Sequence, residues 1–156
     1  MSPKGSRHEV VKAALNDRWC RARPDSCRLI PETTFHLSED TYLEPDIVIF
    51  PREPGLKGLS QSTVLLVVEV ADSSKRYDMG RKAKLYAAFG VRELWVIDAV
   101  KLTARMFRVR TADGYGGTLD FGAADTLVPL FGTGRIRAAA RRTGTCVVPF
   151  AEGRDR

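Results

Sequence analysis

The feature that most constrains the fold is an apolar run with a single acid inside it. Val64-Leu65-Leu66-Val67-Val68 is followed directly by Glu69 and then by Val70-Ala71. A continuous apolar run predicts a β-strand that is covered on both faces. Such a strand places Glu69 in the interior, where an ionised carboxylate is costly unless a cation compensates it. We interpret this acid as part of a metal site.

The patterns on either side of the run predict an α/β domain with a mixed sheet. Residues 7–20 have the spacing of an amphipathic helix, and a second helix is predicted from Asp78 as the N-cap to Gly90 as the stop signal. Strands are predicted at residues 27–37, 45–50, 64–71, 91–98 and 102–109. Residues 113–117 predict a glycine-rich turn, and residues 121–131 a final packing segment or short strand. The strand–helix–strand unit of residues 64–98 implies two parallel strands joined by a right-handed crossover.

Composition limits the class of protein and its surroundings. The chain has 156 residues, which we divide into one domain at 1–134 and a basic, partly loosely held extension at 135–156. Its 25 basic and 19 acidic residues leave a net charge of +6, which favours a polyanionic partner. No apolar run is long enough to span a membrane and no apolar signal region opens the chain, so we expect a cytoplasmic protein. The three cysteines match neither a disulfide nor a zinc pattern.

Two acids on consecutive predicted strands form the candidate metal site. Asp46 begins one strand and Glu69 lies in the next, and paired strands are about 4.8 Å apart. Mg²⁺ suits such a site because it accepts one or two protein carboxylates and keeps several waters. Lys82 is the candidate catalytic lysine, because it lies in the first turns of the helix that leaves the central strand. Asp78, Lys82 and Tyr86 are spaced i, i+4 and i+8, so they share one helix face.

Four motifs in order resemble a known family. They are Pro45-Asp46, Val67-Val68-Glu69-Val70, Asp78-x-x-x-Lys82-x-x-x-Tyr86 and Gly90-Val91-x-Glu93-Leu94-Trp95-Val96-Ile97-Asp98. Together they resemble the Uma-two family, bacterial proteins described as candidate restriction endonucleases with the PD-(D/E)XK nuclease fold. The resemblance extends from about residue 8 to about residue 131. It implies a restriction-endonuclease-like mixed β-sheet flanked by helices, with an αβββαβ core.

The resemblance also implies a function and a set of site residues. Asp46 and Glu69 would bind Mg²⁺ or Mn²⁺, and Lys82 would assist the attacking water. Ala71 stands where the general nuclease motif has a lysine, so Lys82 must reach the site from the helix. The implied activity is metal-dependent endonucleolytic hydrolysis of DNA phosphodiester bonds, and a homodimer is compatible with it.

Structural alternatives remain open for each of these residues. Asp46 could begin a strand without binding a metal. Lys82 could be the i,i+4 partner of Asp78 along the helix without a catalytic role. Glu69 could form a buried ion pair with Lys82 or Arg81, as in a nuclease-fold domain that binds nucleic acid or protein without turnover. An unrelated α/β binding domain with structural acids is a third possibility. Packing is the expected role of Tyr86. Glu9 could reach the edge of the site or be a solvated acid in the first turn of its helix. Neither His8 nor His36 is assigned a role.

Overall fold

A computed structural model describes residues 5–72, 76–131 and 136–137, and only the backbone of residues 76–78 and 136–137. The basic extension predicted at 135–156 therefore lies outside the described residues, apart from the two at 136–137. Helix α1 is Ser6–Ala22, helix α2 is Arg76–Ala88, and a short 3-10 helix is Gly55–Gly58. The strands are β1 Cys27–Pro31, β2 Phe35–His36, β3 Tyr42–Leu43, β4 Ile47–Pro51, β5 Leu66–Ala71, β6 Leu94–Asp98, β7 Thr103–Thr111, β8 Gly114–Phe121, β9 Thr126–Leu127 and β10 Ile136–Arg137.

The main sheet has six strands in the order β1-β4-β5-β6-β7-β8. Strands β5 and β6 are parallel, and the other neighbours are antiparallel. The sheet is therefore mixed, as predicted, and α2 forms the crossover between its two parallel strands. Two small antiparallel pairs, β2–β3 and β9–β10, lie outside it. None of the helices in the described ranges has the length and apolar character needed to span a membrane.

Each face of the sheet is covered by a helix. On one face, Val11, Leu15 and Trp19 of α1 pack in the same cluster as Ile49 and Val68. On the other face, Ala83 and Tyr86 of α2 pack with Val48, Phe50 and Val67. Because successive residues of a strand point to opposite faces, β4 and β5 must be apolar on both. This double cover explains the continuous apolar run and confirms that prediction.

The end of α2 is set by Gly90. Its φ of 102° lies in the left-handed region that glycine favours. The Gly90 N–H donates to the Ala87 carbonyl at 3.1 Å, and the Val91 N–H donates to the Tyr86 carbonyl at 3.0 Å. These two bonds form a Schellman motif, so the predicted stop is confirmed. The helix begins at Arg76, two residues before Asp78, so the prediction of Asp78 as the N-cap was wrong.

Two predicted elements differ from the structure. The strand predicted over residues 27–37 is divided, because β1 ends at Pro31 and Glu32 turns the chain with a φ of 49°. Of the glycine-rich turn predicted at 113–117, only Asp113 lies in the turn between β7 and β8, and residues 114–117 are the first half of strand β8. A Cβ on Gly117 would lie 3.2 Å from the Arg108 carbonyl oxygen. Glycine here reflects the close approach of β7 and β8, which sequence alone does not distinguish from a turn.

Candidate functional site

Asp46 directly precedes β4 and Glu69 lies in the neighbouring strand β5, at the same level of the sheet. Ile47 of β4 is opposite Val68 of β5, and the next pair in this antiparallel register is Asp46 with Glu69. Residues opposite each other in such a pair share a face. Both acids are buried, with 4% and 2% of their surface exposed. The Val70 N–H donates to Oδ2 of Asp46 at 2.8 Å, which fixes that carboxylate against β5.

Helix α2 brings two further side chains to Glu69. Nζ of Lys82 lies 3.2 Å from both carboxylate oxygens, and the Tyr86 hydroxyl donates to Oε1 at 2.8 Å. Lys82 and Tyr86 are one turn apart and therefore lie on the same helix face. The structure thus places Lys82 beside Glu69 and gives Tyr86 a polar contact beyond its predicted packing role. The side chain of Asp78 is outside the described residues.

The electrostatics of Glu69 reflect its burial among unlike and like charges. Burial raises the pKa of the Glu69 carboxyl, and the nearby Asp46 charge raises it further, against the lowering effects of Lys82 and Tyr86. Burial, and then the Glu69 carboxylate, also raise the pKa of the Tyr86 hydroxyl. Tyr86 therefore stays protonated and acts as a hydrogen-bond donor. Lys82 is the one ammonium in hydrogen-bond contact with Glu69 among the described side chains.

Helix α1 contributes a residue to which the sequence analysis gave no role. His8 is buried, its Nε2 lies 3.1 Å from Oδ1 of Asp46, and its Nδ1 lies 2.9 Å from Oε1 of Glu9. Glu9 thus reaches the edge of the site through His8. A signal for His8 was present in the sequence: it precedes Val11 by three positions and Leu15 by seven, so it continues the buried stripe of the helix.

The donor set fits a hard divalent cation. Two adjacent buried carboxylates supply oxygen ligands, and their mutual repulsion is relieved by positive charge. Within residues 5–72 and 76–131, no three or more His, Cys, Asp or Glu side chains form a ready-made metal cage. A site of one or two carboxylates completed by water is the arrangement that Mg²⁺ uses. Ala71 ends β5 and offers no cation, and among the described side chains the ammonium in contact with Glu69 is that of Lys82 on α2.

Comparison with known proteins gives one family and one related fold. A family model named Uma2, with the description "Putative restriction endonuclease", matches residues 1–135. A crystal structure from Anabaena variabilis ATCC 29413, titled as a "putative nuclease belonging to DUF820", is 20% identical over 82% of this chain and 73% of that chain, with a TM-score of 0.55. At that identity the likeness shows the fold alone. The two helices and the strands of the main sheet follow one another as α1-β1-β4-β5-α2-β6, which is the αβββαβ order. This order, the mixed sheet and the likeness to that structure confirm the predicted restriction-endonuclease-like fold.

A second solved structure is more distant. A cryo-EM structure of a DrdV–DNA complex is 13% identical over 74% of this chain and 12% of that chain, with a TM-score of 0.40. A TM-score at this level supports no inference about the present chain. No protein of curated function matches the chain significantly.

Proposed function

The chain belongs to the Uma2 family, and on this premise we propose that it is a metal-dependent endonuclease that hydrolyses phosphodiester bonds in DNA. The observation that carries the proposal is a pair of buried carboxylates, Asp46 just before β4 and Glu69 opposite it on β5, with Lys82 in contact with Glu69. Burying two acids side by side costs free energy that a purely structural pair would not recover. A site that recruits a cation offsets that cost and gains a reactive centre.

Asp46 and Glu69 are the residues that would hold Mg²⁺ or Mn²⁺. When bound, such an ion lowers the pKa of a coordinated water and neutralises charge on a phosphate oxygen. The chain itself keeps both carboxylates in place. The Val70 N–H holds Asp46 from β5, and the Tyr86 hydroxyl holds Glu69 from α2. Ligands fixed in this way keep their geometry when substrate arrives.

Lys82 would act on the water and on the phosphate. Its ammonium contacts both oxygens of Glu69, and 30% of its side chain remains exposed. It therefore lies between the buried acids and the solvent through which a substrate must come. A cation in this position orients the attacking water and stabilises negative charge on the phosphate as the bond to the nucleophile forms.

DNA is the proposed substrate and partner. The net charge of +6 favours binding to a polyanion, and the description of the family names restriction endonucleases. Two copies of one site would allow both strands to be cut, so a homodimer accompanies this proposal. Sedimentation of the free protein and of its DNA complex tests that part separately.

One observation favours a second function without catalysis. The Lys82 ammonium already compensates Glu69 by direct contact, as a structural ion pair in a nuclease-fold domain would. Such a domain would bind nucleic acid or a protein partner and leave phosphodiesters intact. The two functions differ in their response to divalent ions, because the ion pair is complete without one.

Plasmid cleavage separates these proposals. The purified chain is incubated with supercoiled plasmid with and without Mg²⁺ or Mn²⁺, beside Asp46→Ala, Glu69→Ala and the control Asp120→Ala. Asp120 is an exposed acid paired with Arg105 at the far side of the sheet. Cleavage that needs the ion and disappears only in the first two variants supports the endonuclease. Cleavage that survives both substitutions overturns the assigned site, and DNA binding without any cleavage favours the second function.

A further inference from the structure

The buried imidazole of His8 lies between two carboxylates, one of which belongs to the proposed metal site. We propose that His8 is a positioning residue that fixes the Asp46 carboxylate in the orientation that binds the cation. This inference rests on the proposed function, because it takes Asp46 as a ligand. It adds a buried residue of α1 to a site whose proposed ligands and lysine come from the start of β4, from β5 and from α2.

Asp46 is held at both oxygens by different elements of the fold. Oδ2 accepts the Val70 N–H of β5 at 2.8 Å, and Oδ1 faces Nε2 of His8 at 3.1 Å. We infer that Nε2 carries a hydrogen and donates it to Oδ1 of Asp46, since a carboxylate oxygen can only accept. A contact at each oxygen fixes both side-chain torsions of Asp46.

His8 is held in turn by a closed chain of contacts. Its Nδ1 lies 2.9 Å from Glu9, and the Lys12 ammonium lies 2.8 Å from Glu9 and 2.6 Å from Glu32. The Lys12 ammonium, and then the His8 ring, hold the pKa of Glu9 below its ordinary value, so Glu9 remains an ionised acceptor. The backbone N–H of Glu32 donates to the Asp46 carbonyl at 3.2 Å. This series of contacts thus begins and ends at Asp46 and joins α1 to the residue that precedes β4.

Packing alone does not account for an imidazole at this position. His8 continues the buried stripe of Val11, Leu15 and Trp19, where an apolar side chain would fill the space. A buried imidazole is costly unless its nitrogens have polar partners. Both nitrogens of His8 have carboxylates as partners. Side chains that hydrogen-bond to metal ligands typically change metal affinity about 10- to 100-fold when they are removed.

Calorimetric titration with Mn²⁺ at pH 7 tests the inference on the full chain. We compare the wild type with His8→Ala, with His8→Gln and with His36→Ala as the matched control, since His36 is an exposed histidine on β2. We expect His8→Ala to weaken Mn²⁺ binding about 10- to 100-fold. His8→Gln should bind Mn²⁺ more tightly than His8→Ala does, because the glutamine amide N–H can replace the Nε2–H of the histidine. His36→Ala should bind as the wild type does.

A second measurement reports on Asp46 without metal. The Val70 amide donates to Oδ2 of Asp46, so its ¹H–¹⁵N resonance follows the position of that carboxylate. It should shift in His8→Ala and return toward the wild-type position in His8→Gln, which also serves if His8→Ala does not fold. An unchanged Mn²⁺ affinity or an unmoved Val70 resonance in a folded His8 variant overturns the positioning role. A wild type that binds no Mn²⁺ overturns the proposed function instead.

Discussion

Two glutamates are buried at the centre of the sheet, and their surroundings differ. Glu69 lies within β5 and Glu93 lies just before the adjacent β6. Their exposures, 2% and 0%, are nearly the same, so burial alone does not separate them. Their partners do.

Glu93 is enclosed by donors on all sides. Its Oε1 accepts from Nε and Nη2 of Arg108 at 2.9 and 2.6 Å and from the Trp95 indole at 2.8 Å. Its Oε2 accepts the Leu130 N–H at 2.8 Å. Arg108 also donates to the Val128 carbonyl. This carboxylate therefore fastens residues 128–130 to the sheet, and its hydrogen bonds leave little room for a ligand.

Glu69 has fewer donors and a second acid beside it. Lys82 and Tyr86 contact it, and the charge of Asp46 raises its pKa. A buried carboxylate with a full set of hydrogen-bond donors, as Glu93 has, stabilises the fold. A buried carboxylate that has one lysine contact and a second acid beside it, as Glu69 has, is suited to binding a cation.

The largest expected effect is on cleavage. Glu69→Ala should lower the rate at least about 10³-fold, because loss of a metal ligand removes about 4 kcal/mol of transition-state stabilisation. Glu93→Gln should keep the rate of its folded fraction close to that of the wild type. Plasmid cleavage at low temperature, normalised to the folded fraction from circular dichroism, measures both. If Glu93→Gln loses cleavage while folded, the two roles are not separate.

Stability should show the reverse pattern. Glu93→Gln should lower the free energy of unfolding by about 3 kcal/mol, since it leaves a half-buried arginine without its carboxylate. Metal-free Glu69→Gln at pH 7 should change it by less than about 1 kcal/mol, because the ionised carboxylate is itself costly there. Urea unfolding in the presence of a chelator measures both variants. Equal losses would contradict the comparison.

Removing the lysine should reduce cleavage less than removing a ligand does. We expect Lys82→Met to lower the cleavage rate about 10²-fold, because the developing charge on the phosphate loses a cation. Lys84→Met is the matched control, since Lys84 is an exposed lysine two positions along the same helix. Initial rates at saturating Mg²⁺ test this expectation. A rate in Lys82→Met equal to that of Lys84→Met would remove Lys82 from the catalytic site.

The free energy of unfolding should depend on pH differently in the wild type and in Glu69→Gln. The folded pKa of Glu69 is raised above its ordinary value of 4.5, so its stabilising contribution is complete below that pH and is lost as pH rises through the folded pKa. Metal-free wild type should therefore lose stability relative to Glu69→Gln as pH rises above 4.5, by at most about 1.4 kcal/mol per pH unit. Paired urea titrations across this range measure the difference. A difference that stays constant would show that the Glu69 pKa is not raised.

The smallest effect is expected at Tyr86. Tyr86→Phe removes one hydrogen bond to Glu69 and should lower the free energy of unfolding by about 1 kcal/mol and the cleavage rate a few-fold. Tyr115→Phe is the control, since its hydroxyl donates to the Val91 carbonyl at 2.8 Å, away from the carboxylate pair. Tyr115→Phe should lower the free energy of unfolding by a similar amount and keep the wild-type cleavage rate. Equal losses of rate would show that Tyr86 acts only through stability.

The sequence was sufficient for the parts of the molecule with local patterns. The apolar run predicted β5, the spacing after it predicted the crossover helix, and Gly90 predicted the end of that helix. The positions of Asp46 and Lys82 near Glu69 follow once those elements pair, because register and helix periodicity fix them. Family membership and fold were predicted for the same reason: the motifs lie on these elements.

The parts that sequence did not predict depend on contacts between distant segments. His8 meets Asp46 only because α1 packs across the start of β4. Two of the three residues that donate to Glu93, Arg108 of β7 and Leu130, lie far from it along the chain. Strand β8 begins with glycines that are typical of turns, and its extended form depends on pairing with β7. Local propensity cannot report such tertiary contacts.

The central claim is that Asp46 and Glu69 hold a divalent ion between them. Anomalous diffraction from crystals soaked in Mn²⁺ tests it most directly. The account predicts a peak bonded to an oxygen of each carboxylate, at about the 2.1 Å that Mg²⁺ keeps from its ligands, and its loss in Glu69→Gln crystals. Crystals that give no peak at these residues, with the Lys82 ammonium still in contact with both oxygens of Glu69, would contradict it.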